Sequence, residues 1–373
     1  MNSHPSESVD PTFGAQAPAE EFRVSPEGSA DFRTIGEALR AAETCRAAEA
    51  FRLSKTREPW RILITLDSGV YREKLAIRLP YVELRGAGAS GTIITWDDCA
   101  TRLLNDGEPM GTFNSYTVYV GAVGVRLRGL SIENSAGDGR LVGPAVALYA
   151  DSDLFSAQDC RIASRQDSLC AGPLPKNPPP KGINLIHPVA GLGAHQPSLP
   201  FRQSYRHCLI EGDVDFIFGS SLAVFEHCEI RSLGRQAPNS DQTSERSTVP
   251  EPAGWIAAPS TYPGQKAGFV FLNCALTSAP ASGPGAPRSY LARPWRHSGR
   301  AAFISCRMGA HIVPEGWDDW GKPEARAFGG FGEFASSGPG APRENSRAPW
   351  ARKLSEDEAA ALSPEKLFGE ALF

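Results

Sequence analysis

One signature constrains this chain more than any other. It occurs five times, as FSAQDCRI (155–162), YRHCLI (205–210), VFEHCEI (224–230), VFLNCAL (270–276) and AFISCRM (302–308). In four copies an aromatic residue stands three before the cysteine, as Tyr205, Phe225, Phe271 and Phe303. The first copy is looser, with Phe155 five before Cys160, and in all five an apolar residue follows two after the cysteine. A strand-like unit that recurs every twenty residues or more is the mark of a stacked solenoid. A coil of a parallel β-helix needs about three short strands, which matches that spacing. Cys160, Cys208, Cys228, Cys274 and Cys306 would face inward from strands of successive coils and stack as small hydrophobes. A βαβ sheet would need helices between these units, and the sequence offers none there.

The rest of the chain agrees with an all-β solenoid. Short runs rich in β-branched residues, at 61–66, 81–84, 92–96, 117–120, 125–132 and 145–149, alternate with Gly, Asp, Asn and Ser. The 37 glycines and 31 prolines are spread along the chain, which favours many turns over long helices. Helical spacing is confined to 32–49, where Ile35, Leu39 and Ala42 can share a face, and to the C-terminus. There Ser355 with Glu358 matches a capping box, and Pro364 after Ser363 suits a first helical turn. A helix at the end of a solenoid is expected to cover exposed core and open strand edges. Residues 1–22 are polar and read as a flexible tail. Residues 171–200 hold a Pro-rich loop insertion, and 234–252, 277–288 and 336–349 are further polar or Pro/Gly-rich excursions. Length alone allows two domains, but all-β folds often run longer as one, so 23–373 is read as a single domain.

Composition narrows the function. A net charge of −4 with 21% charged residues excludes nucleic-acid binding by bulk electrostatics. No run of about 18 apolar residues exists to span a membrane. The first twenty residues lack a basic and an apolar region of the secretory kind, so a cytoplasmic address is expected, and a secreted one would need a leader that this sequence does not show. The eight cysteines include no CxxC pair, which speaks against zinc and for reduced, buried thiols. G-x-G-x-x-G occurs at Gly86, Gly88 and Gly91, but a strand-like TIITW follows where a dinucleotide site needs a helix. Neither G-x-S-x-G nor H-E-x-x-H is present.

Three segments carry chemistry. RQDSL holds Gln166 and Asp167, and GDVDFIFGS sets Asp213 and Asp215 in an apolar run, where a carboxylate is costly unless paired or used. YLARPWRHS places Arg293, which can grip a carboxylate through its fork of donors, next to Trp295, whose flat face suits a sugar ring. Singly, each is weakly specific, and a lone buried Asp is more often a turn or ion-pair residue.

Taken in order, QDSL, GDVDFIFG, LARPWR and EGWDDW resemble the signature blocks of the pectin methylesterases (pectinesterases), and weaker echoes such as DFRTIGEALRAA, GVYREKL, GTFNSYTV and PAVALYADSD extend the match over about 23–373. The resemblance implies a right-handed parallel β-helix that hydrolyses methyl esters of galacturonate units in pectin or oligogalacturonides, with no metal or organic cofactor. It implies Asp215 as nucleophile, Asp167 as general acid and then base, Arg293 as the partner that keeps Asp215 ionised, and Gln166 as oxyanion donor. Trp295 and Phe218 would line the sugar groove, with Thr112, Val214 and Ser298 as further contacts. Asp213, two residues before Asp215, is expected on the same face by strand alternation, with no catalytic role.

Three positions depart from the family pattern. Pro144 stands where a second oxyanion Gln is usual, Cys170 where an aromatic residue follows QDSL, and Ala292 where GRPW has its Gly. An esterase or thioesterase of altered acyl specificity, or an inactive carbohydrate-binding β-helix, are the alternatives these changes leave open. A pectin-cleaving hydrolase or lyase on this fold lacks its Asn-Thr-Asp and Gly-His-Gly blocks.

Overall fold

Each copy of the signature is a strand, a one-residue corner and a second strand. The computed structural model describes residues 20–50, 62–172, 201–234, 254–280, 287–343 and 346–369. In it the residue before each signature cysteine has a left-handed backbone: Asp159, His207, His227, Asn273 and Ser305 have φ of 52° to 54°. Most of these are residues with short polar side chains, which tolerate that region best. One such residue turns the chain without interrupting the ladder between coils. His207 N donates to Glu226 O at 3.1 Å, and Glu229 N to Cys208 O at 2.9 Å. One coil earlier Gly129, at φ 61°, does the same job. It divides the 125–132 run, read above as one strand, into Arg126–Arg128 and Ser131–Asn134.

The five cysteines therefore lie at corners rather than within strands, but they do face inward, and all are buried. Cys228 Sγ donates to Tyr205 O and Cys274 Sγ to Phe225 O, both at 3.3 Å, so each thiol ties its coil to the one before. Burial holds the Cys160, Cys208, Cys228 and Cys274 thiols well above their ordinary range. All eight cysteines are thiols rather than disulfides. Beside them the aromatics form a column. Centroids are 4.7 Å apart for Tyr205–Phe225 and Phe225–Phe271 and 4.3 Å for Phe271–Phe303, with rings within 13° of parallel.

Three strands make a coil, for example Arg202–Arg206, Leu209–Gly212 and Val214–Gly219. Coil on coil, the described strands form parallel sheets of eleven, eight and seven strands around one apolar core. The fold is a right-handed parallel β-helix. At one end the helix Ile35–Ala50 sends Ile35, Ala38, Leu39 and Ala42 into the core. It packs on Glu20–Val24, Ile62–Leu66 and Leu75–Ile77, the opening strands of two sheets, and closes that mouth of the tube. Its first amides are held by Glu73, which accepts from Ile35 N at 2.8 Å and Gly36 N at 2.9 Å.

Two expectations change here. The strand Glu20–Val24 lies partly inside the stretch read as a tail. At the C-terminus the capping box of Ser355 and Glu358 is present, but the short helices Glu356–Ala360 and Pro364–Phe368 do not plug the far end. They lie along the outside of the eleven-stranded sheet, where Leu354, Ala359 and Phe368 cover Leu222, Val224, Val270 and Ala302. Apolar residues face outward on the strands Leu222–Glu226, Phe269–Leu272 and Ala301–Ile304, and these helices cover them. The Pro-rich insertion falls, from residue 173 to 200, outside the described residues, as do 1–19 of the tail and 235–253. No described helix is long and apolar enough to cross a membrane.

Candidate active site

The candidate site residues gather on the outer face of the seven-stranded sheet. Leu169 pairs with Ile217 and Cys170 with Phe218, and a bridge joins Gln166 to Val214. That constant offset sets Asp167 beside Asp215 on the next coil, about 4.8 Å away along the axis. Whatever 173–200 does, the register closes over it. Both aspartates are left-handed, with φ 64° at Asp167 and 49° at Asp215.

Asp215 is turned outward by a bulge. Val214 pairs with Trp255 but Ile217 with Ala257, one residue short of a regular ladder. Phe216 and Ile217 consequently both enter the core, while Phe218 returns to the outer face. Bulges re-aim side chains at such places. The strand ends at Gly219, φ 129°, where a Cβ would stand 2.1 Å from Ala171 O, so no other residue fits.

Arg293 follows the strand Ser289–Ala292, and its amide donates to Ala257 O at 2.9 Å. Its guanidinium meets Asp215 side-on: Nε donates to Oδ1 at 2.8 Å and Nη2 to Oδ2 at 2.7 Å. Two indoles hold it in plane, Trp255 and Trp320, each 3.8 Å from the guanidinium carbon. Trp255 is in turn fixed by Nε1 donating to Asp318 Oδ2 at 2.7 Å. Lys322 lies over Trp320 and donates to Pro294 O and Trp295 O at 2.7 and 2.9 Å. Burial, and then the Arg293 charge, pull its ammonium below the ordinary lysine range.

Asp213 does not share the face of Asp215, contrary to the alternation expected above. It sits where the chain turns from Leu209–Gly212 into Val214–Gly219, and alternation does not carry across a corner. Its side chain is 0% exposed against 12% for Asp215, and it pairs with Arg165 Nε at 3.2 Å. Two similar letters in one motif thus become a structural ion pair and a groove-facing carboxylate.

The remaining residues divide. Phe218 and Trp295 meet edge to face at 5.9 Å, and Trp295 stacks on Phe113 at 6.4 Å. Thr112 opens the 3₁₀ turn Thr112–Asn114 that brings Phe113 there. Val214 is buried between Gln166 and Trp255. Gln166 is half-buried next to Asp167. Ser298 is not brought to the groove: it is 2% exposed, and its hydroxyl donates to Thr261 O at 2.5 Å, bracing the loop behind Trp295.

The family model for pectinesterase matches residues 21–173 and 193–370. A probable pectinesterase/pectinesterase inhibitor of Arabidopsis thaliana, number 64, is 31% identical over 357 residues, covering 92% of this chain and 50% of that protein. The chain belongs to the pectinesterase family. Pectinesterase 31 of the same plant is 29% identical over 348 residues, 90% of this chain and 88% of its own length. This chain therefore spans half of one curated relative and most of the other. A crystal structure of pectin methylesterase in complex with a hexasaccharide shares the fold at 24% identity, with TM-score 0.69, over 95% of this chain and 98% of that one.

Within the pectinesterase family this chain's own features stand out. Pro144 offers no side-chain donor, and its carbonyl accepts from Ala100 N at 2.8 Å. Cys170 lies in an apolar cluster with Phe113, Tyr116, Tyr119, Tyr149, Phe218 and Ala258. The sequence reading missed Trp255, Phe113, Tyr119 and Tyr149. Trp320 was visible only as the last letter of EGWDDW. Trp255 had no signal, because its place against Arg293 depends on coil register across 235–253. Among the described residues no group of His, Cys, Asp and Glu is arranged to hold a metal.

Proposed function

We propose that this chain hydrolyses methyl esters of galacturonate units in pectin or oligogalacturonides, with Asp215 as the nucleophile. The observation that carries the reading is the asymmetry of two neighbouring carboxylates on one groove face. Asp215 is clamped side-on by Nε and Nη2 of Arg293, whereas Asp167 is half-buried one coil away.

The steps follow from those environments. The oriented Asp215 carboxylate attacks the ester carbonyl carbon, and the oxygen gains charge that Gln166 stabilises. Collapse of this intermediate breaks the bond to methoxide, which takes a proton from Asp167 and leaves as methanol. The acyl group is then held as an anhydride on Asp215. Asp167, now ionised, draws a proton from water as it attacks the acyl carbon, which releases the galacturonate carboxylate and restores Asp215. Phe113, Phe218 and Trp295 supply flat apolar contact for sugar rings. With Pro144 in place of a side-chain donor, this site stabilises the oxyanion through fewer groups, which favours slower turnover or a shifted acyl preference as the second reading.

Methanol release from methylated oligogalacturonides, measured beside turnover of p-nitrophenyl acetate, tests both. Methanol release is expected to dominate. Turnover of the acetate alone would move the chain to a different acyl substrate, and turnover of neither would leave a binding protein.

A further inference from the structure

The groove contains a third carboxylate that the reaction above does not use. Asp151 follows the strand Leu148–Ala150 in the seven-stranded sheet. Alternation puts it on the outer face with Tyr149, two residues beyond the row formed by Tyr149, Cys170 and Phe218. The opposite position on the next coil is Gly172, where a Cβ would stand 2.9 Å from Asp151 Oδ1. The neighbour therefore has no side chain to cover the carboxylate. Tyr119 Oη donates to Asp151 Oδ2 at 3.2 Å. The other titratable groups around it are the Tyr149 phenol, the Cys170 thiol and the Tyr262 phenol. Among the described residues, Arg202 grips Asp153 at 2.7 Å, and the charges of Arg78 and Arg296 reach the neighbouring phenols, Arg78 those of Tyr116 and Tyr119 and Arg296 that of Tyr262.

Asp151 lies within electrostatic reach of the reaction centre. Tyr149, two residues before Asp151, pairs with Cys170, three residues after Asp167, and after burial the charges of both aspartates raise the Cys170 thiol. On the other side Asp151 acts on Tyr262, whose second neighbour is Arg296, the residue after Trp295. Its carboxyl is thus seated among rings at one end of the same aromatic strip. A negative charge with no guanidinium partner among the described residues is an odd choice for a groove that binds an anionic sugar chain. It is a useful choice if the groove has to tell a free carboxylate from a methyl ester.

We propose that Asp151 is a specificity-determining residue that excludes unesterified galacturonate from the sugar position at this end of the groove and admits the methyl ester there. The inference rests on the pectin-ester reading of the site and adds a pattern preference to it. Asp151 does not touch the reacting ester, so it selects the neighbouring sugar without entering the chemical step. Burial, offset in part by the Tyr119 hydrogen bond, pushes the Asp151 carboxyl up to about 6. The sign follows. Below that value the side chain is neutral and tolerates a neighbouring carboxylate; above it the charge repels one, so selectivity grows as pH rises.

The test is the ratio of kcat/KM on a fully methylated oligogalacturonide to that on a partly de-esterified one of equal length, at about pH 5 and about pH 7.5, on either side of the Asp151 transition. A ratio cancels the pH dependence of the catalytic aspartates themselves. In the native protein it should rise by about tenfold between the two pH values, the equivalent of one unit of differential interaction. Asp151→Asn, which keeps an acceptor for Tyr119 and loses the charge, should give a ratio that is low and flat. Tyr119→Phe keeps the carboxyl but removes the hydrogen bond that offsets burial, so it should keep the discrimination and move its onset to higher pH. An Asn variant with the native ratio at both pH values overturns the proposal. If that variant does not fold, a flat ratio in the native protein overturns it equally. Absence of methanol release from every substrate points instead at the underlying reading of the reaction.

Discussion

The corner where the cysteines stack and the face that bears the aspartates are built by the same coils, and they obey opposite rules. At the corner every coil repeats the last. One left-handed residue, one inward thiol and one aromatic ring recur at nearly constant angles and spacings from Tyr205 to Phe303. On the seven-stranded sheet the coils differ at each step. A bulge lifts Asp215 out, Asp167 takes a left-handed turn of its own, Arg293 reaches back from two coils later, and two tryptophans grip it. Repetition fills and holds the tube. The candidate site lies where the repetition fails, because two unlike carboxylate environments cannot come from identical coils.

This contrast separates the effects of mutation. Asp167→Asn should lower kcat by about 10² to 10⁴ and leave thermal stability nearly unchanged, since it removes a proton donor from a half-buried position and keeps a residue that tolerates the left-handed backbone. Phe271→Ala should do the reverse. It opens a hole in the ring column between Phe225 and Phe303 and should cost about 3–5 kcal/mol of stability, read from a denaturant midpoint, with kcat/KM intact wherever the protein stays folded. Trp255→Leu blurs the two classes and so sharpens the comparison. It frees one face of Arg293, and the slackened Asp215 should react about ten- to a hundredfold more slowly. Trp255→Phe, which keeps a ring on the guanidinium, should recover much of that loss. Equal losses in both variants would mean that Trp255 acts by packing alone.

What was legible in the sequence follows the same division. The aromatic-x-x-Cys-x-apolar units announced a stacked solenoid because each coil must solve the same corner, and a repeated problem leaves a repeated string. The order of QDSL, DFIFG and RPW marked the three groove segments. Less visible was anything set by register between coils. The contact of Trp255 with Arg293, the seat of Asp151 opposite Gly172, and the flank position of the C-terminal helices each depend on which residues the coils bring together across long separations. Asp213 and Ser298 show the limit most plainly. Alternation and motif position placed both near the substrate, whereas a corner buries Asp213 against Arg165 and a loop spends Ser298 on Thr261 O.

Asp215 and Asp213 are therefore the pair on which the account turns. The measurement is methanol release from a methylated oligogalacturonide by Asp215→Asn and by Asp213→Thr, with the unfolding midpoint of each recorded on the same samples. Asp215→Asn should be inactive and should also lose stability, by up to about 3 kcal/mol, since the amide offers one acceptor to the two Arg293 donors and leaves that guanidinium without its counter-charge. Asp213→Thr should keep most of its kcat while losing stability by up to about 3 kcal/mol, the cost of stranding Arg165, tempered by that residue's access to water. Turnover by Asp215→Asn together with an inactive but stably folded Asp213→Thr would contradict the assignment of the nucleophile and the geometry it rests on.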